Sequence, residues 1–180
     1  MWIGLTGTPG TGKTSAADWL RTHGQQVVDL TRFAAESGCI CGEDKPRDTK
    51  LVDMDCINDA ILKGFKVEQT VIFEGHFAHL LHLSYIIILR CHPTTLRMRL
   101  QKKRYGPAKI KENVEAEILD VILCEVAELH PEDHCFEIDT TTLASADVGK
   151  IIQSLITTGF SPDTKYKIGN IDWSEEILRE

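Results

Sequence analysis

No apolar run in this chain approaches the roughly 20 residues that a membrane-spanning helix requires, so no membrane partner is expected. Positive charge is also in short supply: 20 Lys and Arg face 27 Asp and Glu, a net charge of −7. That balance argues against general coating of nucleic acid. There is no internal repeat and no low-complexity tract. There is no C-x₂-C pair either: Cys39-x-Cys41 with Cys56 has the wrong spacing for a zinc site. The first strand-like stretch begins beside Met1, and removing it would destroy that strand, so no cleavable leader is expected. The six cysteines then read as reduced thiols of an intracellular protein. Cys91, Cys124 and Cys135 lie in apolar stretches and are expected as small core residues.

What remains is ordinary for a globular protein, with 42% hydrophobic and 26% charged residues. A length of 180 residues suits one domain. Strand-like runs at 2–6, 26–30, 71–74, 85–90 and 134–138 alternate with helix-like segments at 13–23, 52–63, 77–83, 94–103, 109–129 and 143–158. Alternation of this kind predicts parallel strands joined by helical crossovers, hence an α/β fold of three layers, α/β/α, around a five-stranded parallel sheet. The run Tyr85-Ile86-Ile87-Ile88-Leu89 is apolar throughout, as expected of a strand covered on both faces. In 109–129 the helical stripe is Val114, Ile118, Val121, Ile122, Val126 and Leu129, with Glu115, Glu117, Glu125 and Glu128 mostly on the other face. Gly159, Pro162 and Gly169 mark a loose C-terminal extension at about 159–180, in which Asp172-Trp173-Ser174 starts a short capped helix and Trp173 is expected to pack on the body, with docking to a partner as the alternative.

Residues 7–14, Gly-Thr-Pro-Gly-Thr-Gly-Lys-Thr, match G-x-x-x-x-G-K-[ST] at every fixed position, between a strand and a helix. This is the pattern of a phosphate loop. Gly7, Gly10 and Gly12 let backbone approach phosphate oxygens, and the N–H groups around Pro9, Thr11 and Ser15 complete an anion cradle at a helix N-terminus. Lys13 supplies a point charge to the β/γ-phosphates, and the Thr14 hydroxyl reaches Mg²⁺. The loop implies ATP and Mg²⁺, in a P-loop NTPase fold.

In parallel sheets ligands sit at the carboxyl ends of strands. There, Glu74 is placed to orient Mg²⁺ through water, a reading preferred to that of a solvated strand-end acid. His76 positions a nucleophile, contacts phosphate or simply starts a helix. His79 and His82 follow at three-residue steps that drift around a helix, against a histidine metal site. Asp29 ends the second strand, and Arg32 is either a bidentate fork for an acceptor phosphate or a surface arginine. Between 97 and 111 stand Arg97, Arg99, Lys102, Lys103, Arg104, Lys109 and Lys111 without an acid. The block reads as a short basic lid, about 99–111, over the phosphates, or as a solvated helix face or an RNA-contacting patch. The lid is preferred because phosphoryl transfer needs cations from outside the loop. Neither an Asn-Lys-x-Asp motif nor a strand ending Asp-x-x-Gly is present, which argues against a GTPase.

These residues resemble the small adenylate kinases of archaea and of the eukaryotic nucleus, a family also linked to maturation of the small ribosomal subunit. The likeness lies in residues 5–14, in Asp29-Leu30 with Arg32, in Glu74-Gly75-His76, in Leu89-Arg90 and in the stretch 109–118. It implies reversible phosphoryl transfer from MgATP to AMP or a related nucleoside monophosphate, slow ATPase activity and contact with a small-subunit ribosomal protein or pre-ribosomal RNA. It implies a cytoplasmic location, or a nuclear one in a eukaryote. By position, Arg32 would hold the AMP phosphate, Arg99 would face the transferring phosphates, and Lys103 would sit near the ATP adenine. The family's strand-end aspartate is Glu74 here, and its Arg-Gly-Tyr lid reads Lys103-Arg104-Tyr105, where either Arg104 would supply the stacking that lysine lacks or the base would be held less tightly. Two other readings stand beside the nucleotide kinase: an ATP-switched assembly factor for the small ribosomal subunit, and a kinase for a non-nucleotide metabolite.

Overall fold

The computed structural model describes residues 1–44, 49–161 and 165–178; Pro162 lies outside them. In chain order the elements are β1 (Trp2–Thr6), α1 (Lys13–Thr22), β2 (Val27–Asp29), α2 (Leu30–Glu36), β3 (Ile40–Asp44), β4 (Thr49–Val52), α3 (Met54–Gly64), β5 (Val71–Glu74), β6 (Tyr85–Arg90), α4 (Pro93–Lys102), α5 (Pro107–Ile118), α6 (Val121–Leu129), β7 (Cys135–Asp139) and α7 (Ser145–Thr157). The main sheet runs β2-β5-β1-β6-β7 with every pair parallel, as the alternating pattern predicts. The strand β1 is central, and the chain leaves it toward β2 but later fills the opposite side with β6 and β7. The loop after β1 therefore opens at the topological switch point, where open α/β sheets bind ligands.

Side chains alternate across each strand, so one run feeds two cores. Ile3, Leu5, Ile87 and Leu89 join Ala16 and Leu20 of α1 with Val148 and Ile152 of α7 on one face. On the other face Trp2, Val71 and Phe73 meet Leu30, Ala34, Ile57 and Ile61 of α2 and α3, while Ile86 and Ile88 meet Val126 of α6. That is the expected three-layer arrangement. Gly149 lets α7 lie against α1: a Cβ there would come 2.1 Å from the Trp19 ring. Among the described residues no helix is long and apolar enough to cross a membrane.

Several expectations need correction. The helix expected over 77–83 is only a 3₁₀ turn, Ala78–Leu80. The chain must extend by Ser84, whose N–H donates to the Trp2 carbonyl and starts β6 in register. The single helix expected over 109–129 is two, α5 and α6, broken at Asp120 with φ 54°. At the break Asp120 turns its carboxylate onto Arg90, so α5 packs on α4 and α6 on the sheet. Val121 and Leu129, expected in the apolar stripe, are exposed, and so is Cys124. Glu117, expected on the polar face, is buried.

The cysteines differ most. Cys39 and Cys56 form a disulfide, not a pair of reduced thiols. Local structure brings them together. The Cys39 carbonyl accepts the Asp53 N–H, and Asp53 caps α3 by accepting the Cys56 N–H. The antiparallel hairpin β3–β4 lies between the two cysteines, and it and α2 have no counterpart in the expected elements.

Candidate active site

The phosphate loop connects β1 to α1. Gly7, Gly10 and Gly12 take φ of 137°, 99° and 106°, a region that side chains disfavour. Space excludes a side chain as well at Gly7, where a Cβ would lie 2.3 Å from the Leu89 carbonyl oxygen. Lys13 folds back over the loop, its Nζ donating to the Gly7 carbonyl at 2.6 Å and the Thr8 carbonyl at 3.1 Å. Burial strips water from the amine and pulls its pKa down to about 8; Glu74 and Glu117 oppose the shift and Lys103 adds to it.

Thr14 Oγ1 donates to Glu74 Oε1 at 3.3 Å, so the loop hydroxyl and the strand-end carboxylate already meet. Glu74 is buried, which raises its pKa; Lys13 pulls it the other way and Asp29 pushes it up. A hydroxyl and a carboxylate are hard oxygen donors of the kind Mg²⁺ takes, and their small number suits an ion that keeps most of its waters. Among the described residues no group of three or more His, Cys, Asp and Glu could hold a metal. The donor set therefore fits Mg²⁺ brought in with a triphosphate better than a resident metal.

Three cavities meet at the loop. The central one, about 270 Å³, is lined by Pro9, Gly10, residues 12–15, Asp29, Thr31, residues 74–76, Lys103 and Tyr105. It brings together most of the residues expected at the site. A second, about 320 Å³, shares Gly10, Gly12, Ser15 and Lys103 with it and extends to Arg99, Thr140, Leu143 and Val148. The third, about 670 Å³, shares Pro9, Thr31, His76 and Tyr105 with the first. It reaches the hairpin at Ile40, Lys50 and Val52 and the α5 residues Lys109, Glu112, Asn113 and Ala116.

The remaining expected residues are held as follows. Arg99 lines the second cavity, its guanidinium donating to the Thr140 carbonyl at 2.7 Å and Oγ1 at 3.1 Å. Arg32 is exposed and its Nε donates to Glu36 Oε1 at 2.6 Å, outside the linings of the three cavities. Asp29 caps α2 by accepting the Arg32 N–H at 3.0 Å. Arg104, at φ 59°, is exposed beside Tyr105 in the turn between α4 and α5. The His76 ring is exposed at the cavity mouth, yet partial loss of water, helped by Lys13, His79 and Lys109, lowers its pKa.

Two groups escaped the sequence reading. His79 is buried, with Nδ1 3.0 Å from Thr6 Oγ1 and Nε2 2.8 Å from Glu125 Oε2, and lines the third cavity with Glu125. Thr8 donates to buried Glu117 at 2.5 Å. A signal for Glu117 existed: it stands three residues after Val114 and seven after Ile110, in phase with the buried stripe of α5.

The chain has clear relatives. A protein-family model described as an AAA domain matches residues 3–120. Proteins named "Putative adenylate kinase" match over nearly their whole length: 38% identity in Archaeoglobus fulgidus, covering 98% of this chain and 94% of that one; 37% in Methanocaldococcus jannaschii, covering 99% and 96%; and 39% in Pyrococcus furiosus, also 99% and 96%. Among solved structures the fold resembles a protein of Thermus thermophilus at TM-score 0.59 and 15% identity, covering 88% of this chain and 97% of that one. It also resembles an Acinetobacter baumannii shikimate kinase at TM-score 0.55 and 18% identity, covering 88% and 93%. With its loop, its parallel sheet and these full-length relatives, the chain belongs to the family of P-loop proteins that bear the name adenylate kinase in archaea.

Proposed function

We propose that this protein is a nucleoside monophosphate kinase that transfers the γ-phosphoryl group of ATP to AMP. One observation carries the reading: the phosphate loop stands between two further cavities, so a triphosphate in the middle has room for its own base on one side and for an acceptor on the other. The donor base takes the cavity beside Arg99, Thr140 and Val148. The acceptor takes the cavity between the hairpin and α5. Its phosphate lies toward Asp29, Thr31 and His76, within reach of Arg32 once that side chain leaves Glu36.

Transfer of this kind asks the protein for position and charge and for little covalent chemistry. Lys13 turns from the Gly7 and Thr8 carbonyls onto the β/γ-phosphates. Loop N–H groups hold the same oxygens. Thr14 and Glu74 would hold Mg²⁺, Glu74 through water, and the ion would supply positive charge against that of the phosphates. The lid between α4 and α5 brings Lys103 over the transferring group and excludes water.

The other reading, an ATP-switched factor with a ribosomal protein or pre-ribosomal RNA as partner, keeps the donor half and leaves the large third cavity without a nucleotide. An analogue that joins two adenosines through a polyphosphate separates the two. Titration calorimetry is expected to give one analogue per chain, bound about 100-fold tighter than either ATP or AMP alone, because the second site is engaged intramolecularly. Affinity no better than that of ATP would contradict a two-nucleotide site.

A further inference from the structure

Thr8 occupies a position that the phosphate-loop pattern leaves open, yet it is 3% exposed and fully committed. Its hydroxyl has one proton to give, and gives it to Glu117 Oε2 at 2.5 Å. Its carbonyl accepts from Lys13 Nζ at 3.1 Å and from the Thr11 N–H at 3.2 Å. One loop residue thus holds the lysine with its main chain and the last turn of α5 with its side chain. Glu117 in turn accepts at Oε1 from Arg90 Nε at 2.9 Å and from the Cys91 N–H at 3.1 Å. The same helix lines the third cavity with Lys109 and Asn113. A continuous hydrogen-bonded path therefore runs from the donor cradle to the acceptor wall.

Charge balance alone does not account for Glu117. Arg90 also contacts Glu137, at 3.2 Å, and Asp120, so its single positive charge already has two carboxylates. A third buried carboxylate adds desolvation cost. Glu117 is the one of the three that touches the loop. Resting on the kinase reading, we propose that Glu117, acting through the Thr8 hydroxyl, is a positioning residue that sets the phosphate loop in register with α5, so that donor and acceptor line up for transfer.

The test compares Thr8→Val, which keeps the shape and loses the hydroxyl, with Thr8→Ser, which restores it. In Thr8→Val, kcat is expected to fall about tenfold with both KM values within about twofold, and Thr8→Ser to return to within about twofold of the parent. Hydrogen exchange of α5 amides supplies a readout that needs no transfer. A non-hydrolysable ATP analogue is expected to slow exchange in α5 about threefold in the parent and in Thr8→Ser, and not in Thr8→Val. If the parent transfers to no nucleoside monophosphate, the kinase reading fails and the exchange result alone decides this one. If leaving Glu117 Oε2 without its donor unfolds Thr8→Val, the pair Thr8→Val with Glu117→Gln removes the buried carboxylate and is expected to show the same losses. An unchanged kcat, a rise in donor KM alone, or equal protection of α5 in Thr8→Val and the parent overturns the proposal.

Discussion

Lys13→Ala is expected to lower kcat/KM for ATP by about a thousandfold, the scale seen when a preorganised charge is removed from a water-poor site. The Lys13 amine is buried, it rests on two loop carbonyls, and its pKa is drawn down to about 8 by burial. Those carbonyls are weak partners for a full charge, so the amine is poised to exchange them for phosphate oxygens. The pH dependence follows with a definite sign. Only the protonated amine attracts phosphate, so kcat/KM for ATP, which reports the free enzyme, is expected to fall as pH rises through about 8. Lys13→Ala should remove that limb from the profile. Stability moves the other way. A lysine whose folded pKa lies below its unfolded value opposes folding while it is charged, so the variant is expected to melt no lower than the parent apart from a small packing loss. Loss of activity together with loss of fold would contradict this division of roles, as would near-normal turnover.

Arg90→Met is expected to cost about 3–5 kcal/mol at neutral pH, because removing one partner of a buried ionic cluster strands the others. The guanidinium is 2% exposed and is held by Glu117, Glu137 and Asp120. Methionine fills most of the volume but offers no donor. Burial already raises the pKa of Glu137 and of Asp120 from their ordinary values even with the arginine present. Without it they rise further. A carboxyl whose folded pKa exceeds its unfolded one favours folding at low pH, and that advantage is lost as pH rises through the folded pKa. The deficit of Arg90→Met is therefore expected to be largest at neutral pH and to shrink in mildly acid solution, read as denaturant midpoints against the parent. A pH-independent deficit would mean that packing, not stranded charge, is what the substitution removes.

The parts of this molecule legible in its sequence were those that rest on local rules. The parallel strands were visible because both faces are covered, which writes apolar runs such as 85–89 directly into the chain. The phosphate loop was visible because its glycines and Lys13-Thr14 answer to backbone geometry and phosphate chemistry at fixed spacing. Features that rest on distant partners were not legible. Asp120 breaks a strongly periodic helical stretch because Arg90, 30 residues earlier, holds its carboxylate. Glu117 looks like one acid among many until β6 and the loop close around it. Cys39 and Cys56 lie 17 residues apart, and the pairing of Ile40 with Val52 together with the Asp53 cap turns one toward the other. The β3–β4 hairpin also supplies Ile40, Lys50 and Val52 to the third cavity, so the proposed acceptor side was harder to read than the phosphate loop.

The central claim, a site for two nucleotides with a phosphate loop between them, is tested most directly by following ADP formation from MgATP with and without AMP. AMP is expected to raise the rate by at least about 100-fold, as positioned transfer outruns hydrolysis, with AMP consumed as ADP forms. An ADP rate indifferent to AMP, and stimulated instead by ribosomal protein or RNA, would contradict it.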